Sequence, residues 1–248
     1  MNLVIKDNKM ESGKLAAADG AKFIRTAVSA RGQANIIVAT GASQFEMLEA
    51  LVAEKDIPWH KVVVFHLDEY VGLPITHPAS FRLYLWQRFH SKLPMPVKAF
   101  HYLDGESDAP ATCQRVGRIL SEHPINVAFI GIGENGHVAF NDPPADFQTD
   151  DPYIIVDLDE ACRKQQLGEG WFPSFEAVPK QAISMSVKQV MKSRAIVCTV
   201  PDQRKAKAVK NAVEGKVTPD VPASILQTHA QVTIYLDTPA ATMLKKQA

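Results

Sequence analysis

The residues of this chain whose types and spacing could do chemistry fall in three short blocks. The densest runs from Gly131 to Pro144, Gly-Ile-Gly-Glu-Asn-Gly-His-Val-Ala-Phe-Asn-Asp-Pro-Pro, and places three glycines, a histidine and acids behind an apolar run. Gly131-x-Gly133-x-x-Gly136 matches the dinucleotide fingerprint, but that motif needs a helix opening directly after the glycines to meet a pyrophosphate. Pro143-Pro144 follow instead, and paired prolines remove amide donors and clash with preceding carbonyls. The glycines are therefore read as bending a loop and bringing backbone close to a ligand. His137 can donate or accept a proton near neutral pH, and Asp142 can orient or charge-balance it. The plain alternative is a satisfied histidine in a buried turn.

The second block is His66-Leu67-Asp68-Glu69-Tyr70. Two adjacent acids after an apolar strand are costly to bury alone, so they are expected to face a cleft or to pair with a cation. Period-two alternation puts His66 and Asp68 on one face and Glu69 on the other, which makes Asp68 the better candidate for a base. A metal site built from His66, Asp68 and His137 lacks any diagnostic ligand spacing. The third block is Thr40-Gly41-Ala42-Ser43-Gln44, with Ser43 read as the N-cap of the next helix. Free amides at a helix N-terminus form an anion site for which phosphate is the natural guest, although ordinary capped turns look the same.

Apolar, β-branched runs at 35–40, 61–67, 125–130, 182–187, 194–200 and 231–237 are predicted strands, so each block follows one. Helical spacing marks 13–30, 44–54, 79–91, 109–121 and 203–214. The alternation implies an α/β fold: one domain over 1–248, with a mostly parallel, Rossmann-like sheet covered by helices on both faces. In such sheets ligands collect beyond the carboxyl ends of the strands, where the three blocks lie.

The 27 basic residues balance 27 acidic ones, so no net field favours nucleic acid or an anionic membrane, and a small, locally recognised ligand is expected. Cys113, Cys162 and Cys198 show no zinc or redox spacing and read as reduced thiols of a cytoplasmic protein. No signal-like N-terminus and no membrane-length apolar run is visible. Without a coiled coil or an evident interface stripe, a homo-oligomer is left open.

Together, Leu67-Asp68-Glu69-Tyr70-Val71-Gly72-Leu73-Pro74, His77-Pro78-Ala79-Ser80-Phe81, the Gly131–Asp142 block, Val178-Pro179-Lys180, and Lys205-Ala206 with Ala212-Val213-Glu214-Gly215 strongly resemble the glucosamine-6-phosphate deaminase (isomerase) family. The resemblance runs in order from about 35 to 237. The related 6-phosphogluconolactonases share the sheet and a Gly-x-Gly-x-x-Gly-His segment, but the Asp-Glu-Tyr-Val-Gly-Leu block and the Ala-Phe-Asn after the histidine favour the deaminase branch. The resemblance implies that Asp68 is the proton-shuttling base, that His137 assists ring opening, and that Asn135 and Asp142 support the histidine. It implies a sugar phosphate held by Thr40, Gly41, Ala42, Ser43 and Lys205, and no metal or redox cofactor.

Three departures accompany it. Position 135 is Asn where Asp is common in the family, and position 142 is Asp where Glu is usual. That shorter side chain opens a gap of about 1.5 Å, enough to break a direct hydrogen bond unless the loop or a water compensates. The family's phosphate-binding arginine has no counterpart near Gly168-Glu169-Gly170, and Arg163 or Lys164 is the available substitute. The competing readings are a sugar-phosphate lactonase, which needs the histidine but not Asp68, and a non-catalytic sugar-phosphate sensor.

Overall fold

The computed structural model describes residues 1–168 and 170–245. In chain order the elements are β1 (Asn2–Lys6), α1 (Lys9–Arg31), β2 (Ala34–Val38), α2 (Phe45–Ala53), β3 (Val62–His66), β4 (Asp68–Tyr70), α3 (Phe81–Arg88) and β5 (Ala99–His101). There follow α4 (Ala109–Ser121), β6 (Val127–Ile130), β7 (Tyr153–Asp157), α5 (Glu160–Gly168), β8 (Gln181–Met185), α6 (Val187–Met191), β9 (Ile196–Val200), α7 (Ala206–Glu214) and β10 (Val232–Asp237).

Seven strands form a parallel sheet in the order β1-β10-β9-β6-β2-β3-β5. Its central strands are mostly apolar because both faces are covered. Along β3, for instance, Val62 and Val64 pack on one side with Ile24 of α1, Leu48 of α2 and Leu85 of α3. Val63 and Phe65 face the other side and belong to the core layer that also holds Val116 of α4, Val190 of α6 and Val209 of α7. Strand order reverses at β2: the chain moves from β2 to β3 and β5 on one side, then returns to place β6 on the other. The loops leaving β2 and β6 therefore diverge at their carboxyl ends and open a crevice, the usual ligand site of such sheets.

The segment 182–187 does not extend the parallel sheet. As β8 it lies in a separate antiparallel sheet of order β4-β8-β7. This small sheet sits beside the crevice, and β8 ties its halves together. Ser184 is opposite Asp68, and its hydroxyl accepts the Phe140 amide at 3.0 Å. Asn141 Nδ2 donates to the Met185 carbonyl at 2.8 Å, pinning the loop after β6 to the same strand.

Helix limits follow their caps. The Asp108 side chain accepts the Ala111 amide at 2.9 Å, with Pro110 in the first turn, and α4 keeps the predicted 109–121. Asn8 accepts from the Glu11 amide at 3.0 Å and starts α1 a turn earlier than apolar spacing indicates. No helix among the described residues is long and apolar enough to cross a membrane.

Candidate active site

A cleft of about 260 Å³ opens at the crevice. Thr40, Gly41, Ala42, Ser43, Asp68, His137 and Lys205 all line it, so the three sequence blocks meet in one place.

At one end, two strands finish in the same way. After β2, Gly41 at φ 93° leads into a one-turn 3-10 helix, Ala42–Gln44, that feeds α2. After β9, Asp202 at φ 88° leads into the turn Gln203–Lys205 that feeds α7. Both turns aim helix N-termini at the cleft, where free amides and the helix dipole favour an anion. Ser43 is not the expected N-cap: α2 begins at Phe45 after Gln44, without a side-chain cap. The hydroxyl of Ser43 instead accepts from Gln44 Nε2 at 3.1 Å, which leaves its own O–H to donate elsewhere. Gln44 is fully buried and also receives the Thr199 hydroxyl at 2.9 Å, fastening the turn to β9. Lys205 is 7% exposed, and Lys9 and Arg204 join it on the cleft wall. Lys9 is ion-paired to Glu46 at 2.7 Å.

At the other end, the acids of the second block have opposite fates. The chain leaves the main sheet at Leu67, and Asp68–Tyr70 enters the small one. The expected shared face of His66 and Asp68 is broken by this change of sheet: only Asp68 reaches the cleft wall. His66 is fully buried, accepts the Leu103 amide on Nδ1 at 3.4 Å, and is kept neutral by a pKa lowered to about 3 through burial and nearby Arg82. Glu69 is fully buried and accepts five hydrogen bonds: from the amides of Tyr70, Phe81 and Arg82, the Ser80 hydroxyl and Arg82 Nε. Arg82 also reaches Asp104 at 3.1 Å and Glu106 at 2.8 Å. Asp68 has no such escort. Its Oδ1 is buried without a hydrogen-bond partner among the described residues. Burial, followed by the neighbouring Glu69 charge, pushes its carboxyl up to about 8.

His137 Nδ1 lies 2.8 Å from Asp142 Oδ1, so the loop closes the gap that the shorter aspartate would leave. The approach depends on Gly133, where a Cβ would stand 2.2 Å from His137 Nε2. Asn135 takes a supporting place: Nδ2 donates to Asp142 Oδ1 at 2.9 Å and Oδ1 accepts the His137 amide at 3.0 Å. Asp142 Oδ2 accepts the Asp159 amide at 3.2 Å. Burial raises the Asp142 carboxyl, but the bonds from His137, Asn135 and Asp159 outweigh it and leave the carboxyl below the ordinary range. With Nδ1 committed to Asp142, the ring has Nε2 for a ligand.

Arg163 does not stand at the anion end. Its Nη2 donates to the Phe175 and Val178 carbonyls at 2.8 and 3.0 Å, and its guanidinium lies 4.1 Å from the Phe175 ring centre. Lys164 pairs with Glu160 on the outer surface of α5 and does not line the cleft either. Glu169, the centre of the arginine-less segment, lies outside the described residues. Residues that sequence reasoning missed are Lys9, Gln165, Gln166 and Arg204, all on the cleft wall. Spacing gave no signal for them, since isolated polar residues on helices read as solvated surface. Among the described residues, one cluster brings together side chains of metal-ligating type, and two of its three members are poorly suited to the task. His137, Asp142 and Cys162 hold ligand atoms within 4.8 Å of one another, but both Asp142 oxygens are engaged and burial pushes the Cys162 thiol far up.

Comparison with known proteins agrees with this geometry. A glucosamine-6-phosphate deaminase of Lactobacillus delbrueckii subsp. bulgaricus is 37% identical over 99% of this chain and 100% of its own length. One from Oenococcus oeni is 35% identical over the full length of both. The solved structure of a monomeric glucosamine-6-phosphate deaminase superposes with a TM-score of 0.90 at 27% identity, covering 98% of this chain and 100% of that one. The 6-phosphogluconolactonase of Trypanosoma brucei shares the fold at TM-score 0.79 and 14% identity, over 98% of each chain. With residues 7–235 matching the pattern of the glucosamine-6-phosphate isomerases and 6-phosphogluconolactonases, the chain belongs to that family.

Proposed function

We propose that the protein converts glucosamine 6-phosphate and water to fructose 6-phosphate and ammonia. The observation that carries this reading is the polarity of the cleft. Amides and cations line one end, and a buried carboxyl whose Oδ1 has no hydrogen-bond partner among the described residues lines the other. A phosphate and an amino cation on one small molecule match the two ends. A sugar lactone offers Asp68 only neutral hydroxyls, whereas the ammonium of an amino sugar stabilises the Asp68 carboxylate against its desolvation.

In the proposed mechanism, His137 Nε2 takes the proton of the C1 hydroxyl and passes it to the ring oxygen as the C1–O5 bond breaks and C1 becomes the aldehyde, with Asp142 stabilising the charge changes on the imidazole. The Asp68 carboxylate then removes the C2 proton. The electron pair forms the C1–C2 double bond of an enolamine while the aldehyde oxygen takes up the proton given up by the ammonium, and Asp68, whose proton can exchange with water, protonates C1 as the nitrogen lone pair forms the C2 imine. The resulting C2 imine adds water and expels ammonia, leaving the ketone. Every transferred atom comes from substrate or water, so the sequence requires no metal or redox partner. The free cysteines, two of them buried, suit a reducing compartment, and the same reading places the reaction in the cytoplasm.

The test is to supply glucosamine 6-phosphate to the pure protein and measure ammonia and fructose 6-phosphate together. Release of both in equal amounts is expected, together with their loss in Asp68→Asn. Hydrolysis of 6-phosphogluconolactone that survives Asp68→Asn but not His137→Ala, without ammonia release, would replace this reading by the lactonase one. Binding of the amino-sugar phosphate without turnover would replace it by the sensor.

A further inference from the structure

We infer that Arg204 is the phosphate-binding arginine of this chain, and hence a specificity-determining residue for phosphorylated over unphosphorylated sugar. The inference rests on the substrate reading above and deepens it. Four observations carry it. First, Arg204 lines the same cleft as Ser43, Lys205 and Gly41, and it lies immediately before Lys205 in the Gln203–Lys205 turn. Second, Arg163 is committed to backbone carbonyls and an aromatic face, as described.

Third, charge at this end depends on Arg204. Lys9 is neutralised by Glu46 at 2.7 Å, and Asp202 lines the cleft as an anion beside Lys205. Without the guanidinium, Lys205 and Asp202 cancel and only amide dipoles remain for a dianion. With it, the cleft-lining side chains at this end carry a net positive charge, since Glu134, which faces Arg204 from outside the lining, is not among them. Fourth, Arg204 holds its present partners loosely. Its Nη1 is 3.5 Å from Glu134 and its Nη2 3.4 Å from Asp202, on a side chain 50% exposed. Exposed pairs at such distances contribute little, whereas a guanidinium on phosphate makes two parallel charge-assisted bonds. Exchanging Glu134 for phosphate is therefore downhill. Because Glu134 belongs to the loop that carries His137, the exchange takes place at the edge of the reactive end.

The experiment compares wild type, Arg204→Ala, Arg204→Lys and Lys207→Ala at one fixed salt concentration. Inorganic phosphate binding is read by calorimetry, and KM and kcat are read with glucosamine 6-phosphate. Lys207 is an exposed cation outside the cleft and controls for long-range field. Loss of two charge-assisted bonds is expected to weaken phosphate binding and raise KM by about 10- to 100-fold in Arg204→Ala, with kcat within about threefold. Arg204→Lys should recover part of the loss, since an ammonium cannot bind bidentately. Lys207→Ala should match wild type, and inhibition by unphosphorylated glucosamine should be equal in all four proteins. Phosphate affinity and KM within twofold of wild type in a folded Arg204→Ala would overturn the inference, as would an equal loss in Lys207→Ala. If wild type releases no ammonia, the deaminase reading falls alone, and the calorimetry with inorganic phosphate still decides the role of Arg204.

Discussion

The two ends of the cleft are built by opposite means. At the proposed phosphate end the polar groups are offered on one-turn helices after β2 and β9, with a half-exposed guanidinium among them. At the reactive end Asp68 and His137 are only 6% and 7% exposed and stand on the small sheet and on the loop pinned to it. The difference fits the work proposed for each end. An anion can be held by many donors that remain partly wet, because their contributions sum. A base must be dry, because desolvation is what lifts a carboxyl toward the pH at which it works. Glu69 shows the contrast at closest range: the adjacent carboxylate, equally buried but given five hydrogen bonds, is structural.

The comparison is most easily broken at Asp68. Asp68→Asn is expected to reduce kcat for ammonia release by at least about 10³-fold while leaving inorganic phosphate affinity within twofold, since general-base catalysis contributes roughly 10² to 10⁴. Loss of phosphate binding in that variant would show that the two ends are not independent. Arg82→Met probes the buried framework beneath the base. Leaving Glu69 without its cation should cost about 3–5 kcal/mol, read as a lowered midpoint in urea unfolding. A midpoint equal to wild type would deny Glu69 its structural role.

The titration of Asp68 sharpens the comparison through stability. Its folded pKa of about 8 lies above the unfolded carboxyl value, so the stability it contributes is complete below the unfolded pKa and is lost as pH rises through 8. Asp68→Asn, neutral at every pH, should therefore gain on wild type between about pH 4 and 8, and keep a constant advantage of a few kcal/mol above that. Parallel stability curves would mean that Asp68 is ionised in the resting protein. The smallest expected effect is at the histidine support. Asp142→Asn should lower kcat by on the order of 10² with KM little changed. Asn135→Asp, which restores the residue common in the family, should change kcat by less than about tenfold.

How much of this was legible in the sequence depended on burial. Strands β2, β3, β6, β9 and β10 are covered on both faces and read as mostly apolar, β-branched runs. Edge strand β1 and the half-exposed β7 carry only the short apolar runs Leu3-Val4-Ile5 and Tyr153-Ile154-Ile155-Val156, with Ile5 and Ile155 exposed, and were not among the predicted strands. The three-residue β4 was too short to separate from β3, which is why the change of sheet at Leu67 went unseen. Ile183 and Met185 marked β8 as a strand, but apolar character cannot say which sheet a strand joins. Among the cleft residues, Asp68 and His137 stood out because charge or imidazole at the end of an apolar strand is costly and local. Arg204 did not, since a cation after an Asp in a polar turn looks solvated in any sequence. Arg163 was misplaced for a related reason: sequence proximity to the expected arginine says nothing about which way α5 turns its side chains.

The central claim, that one cleft holds phosphate at one end and moves a proton through Asp68 at the other, is met most directly by turnover of glucosamine 6-phosphate in D2O followed by NMR. Wild type should yield ammonia and fructose 6-phosphate in equal amounts, with deuterium entering the product at C1 alone. Asp68→Asn, still binding phosphate, should yield neither product nor exchange of the C2 proton. Ammonia release by that variant within tenfold of wild type, or wild-type product labelled elsewhere than C1, would contradict the account.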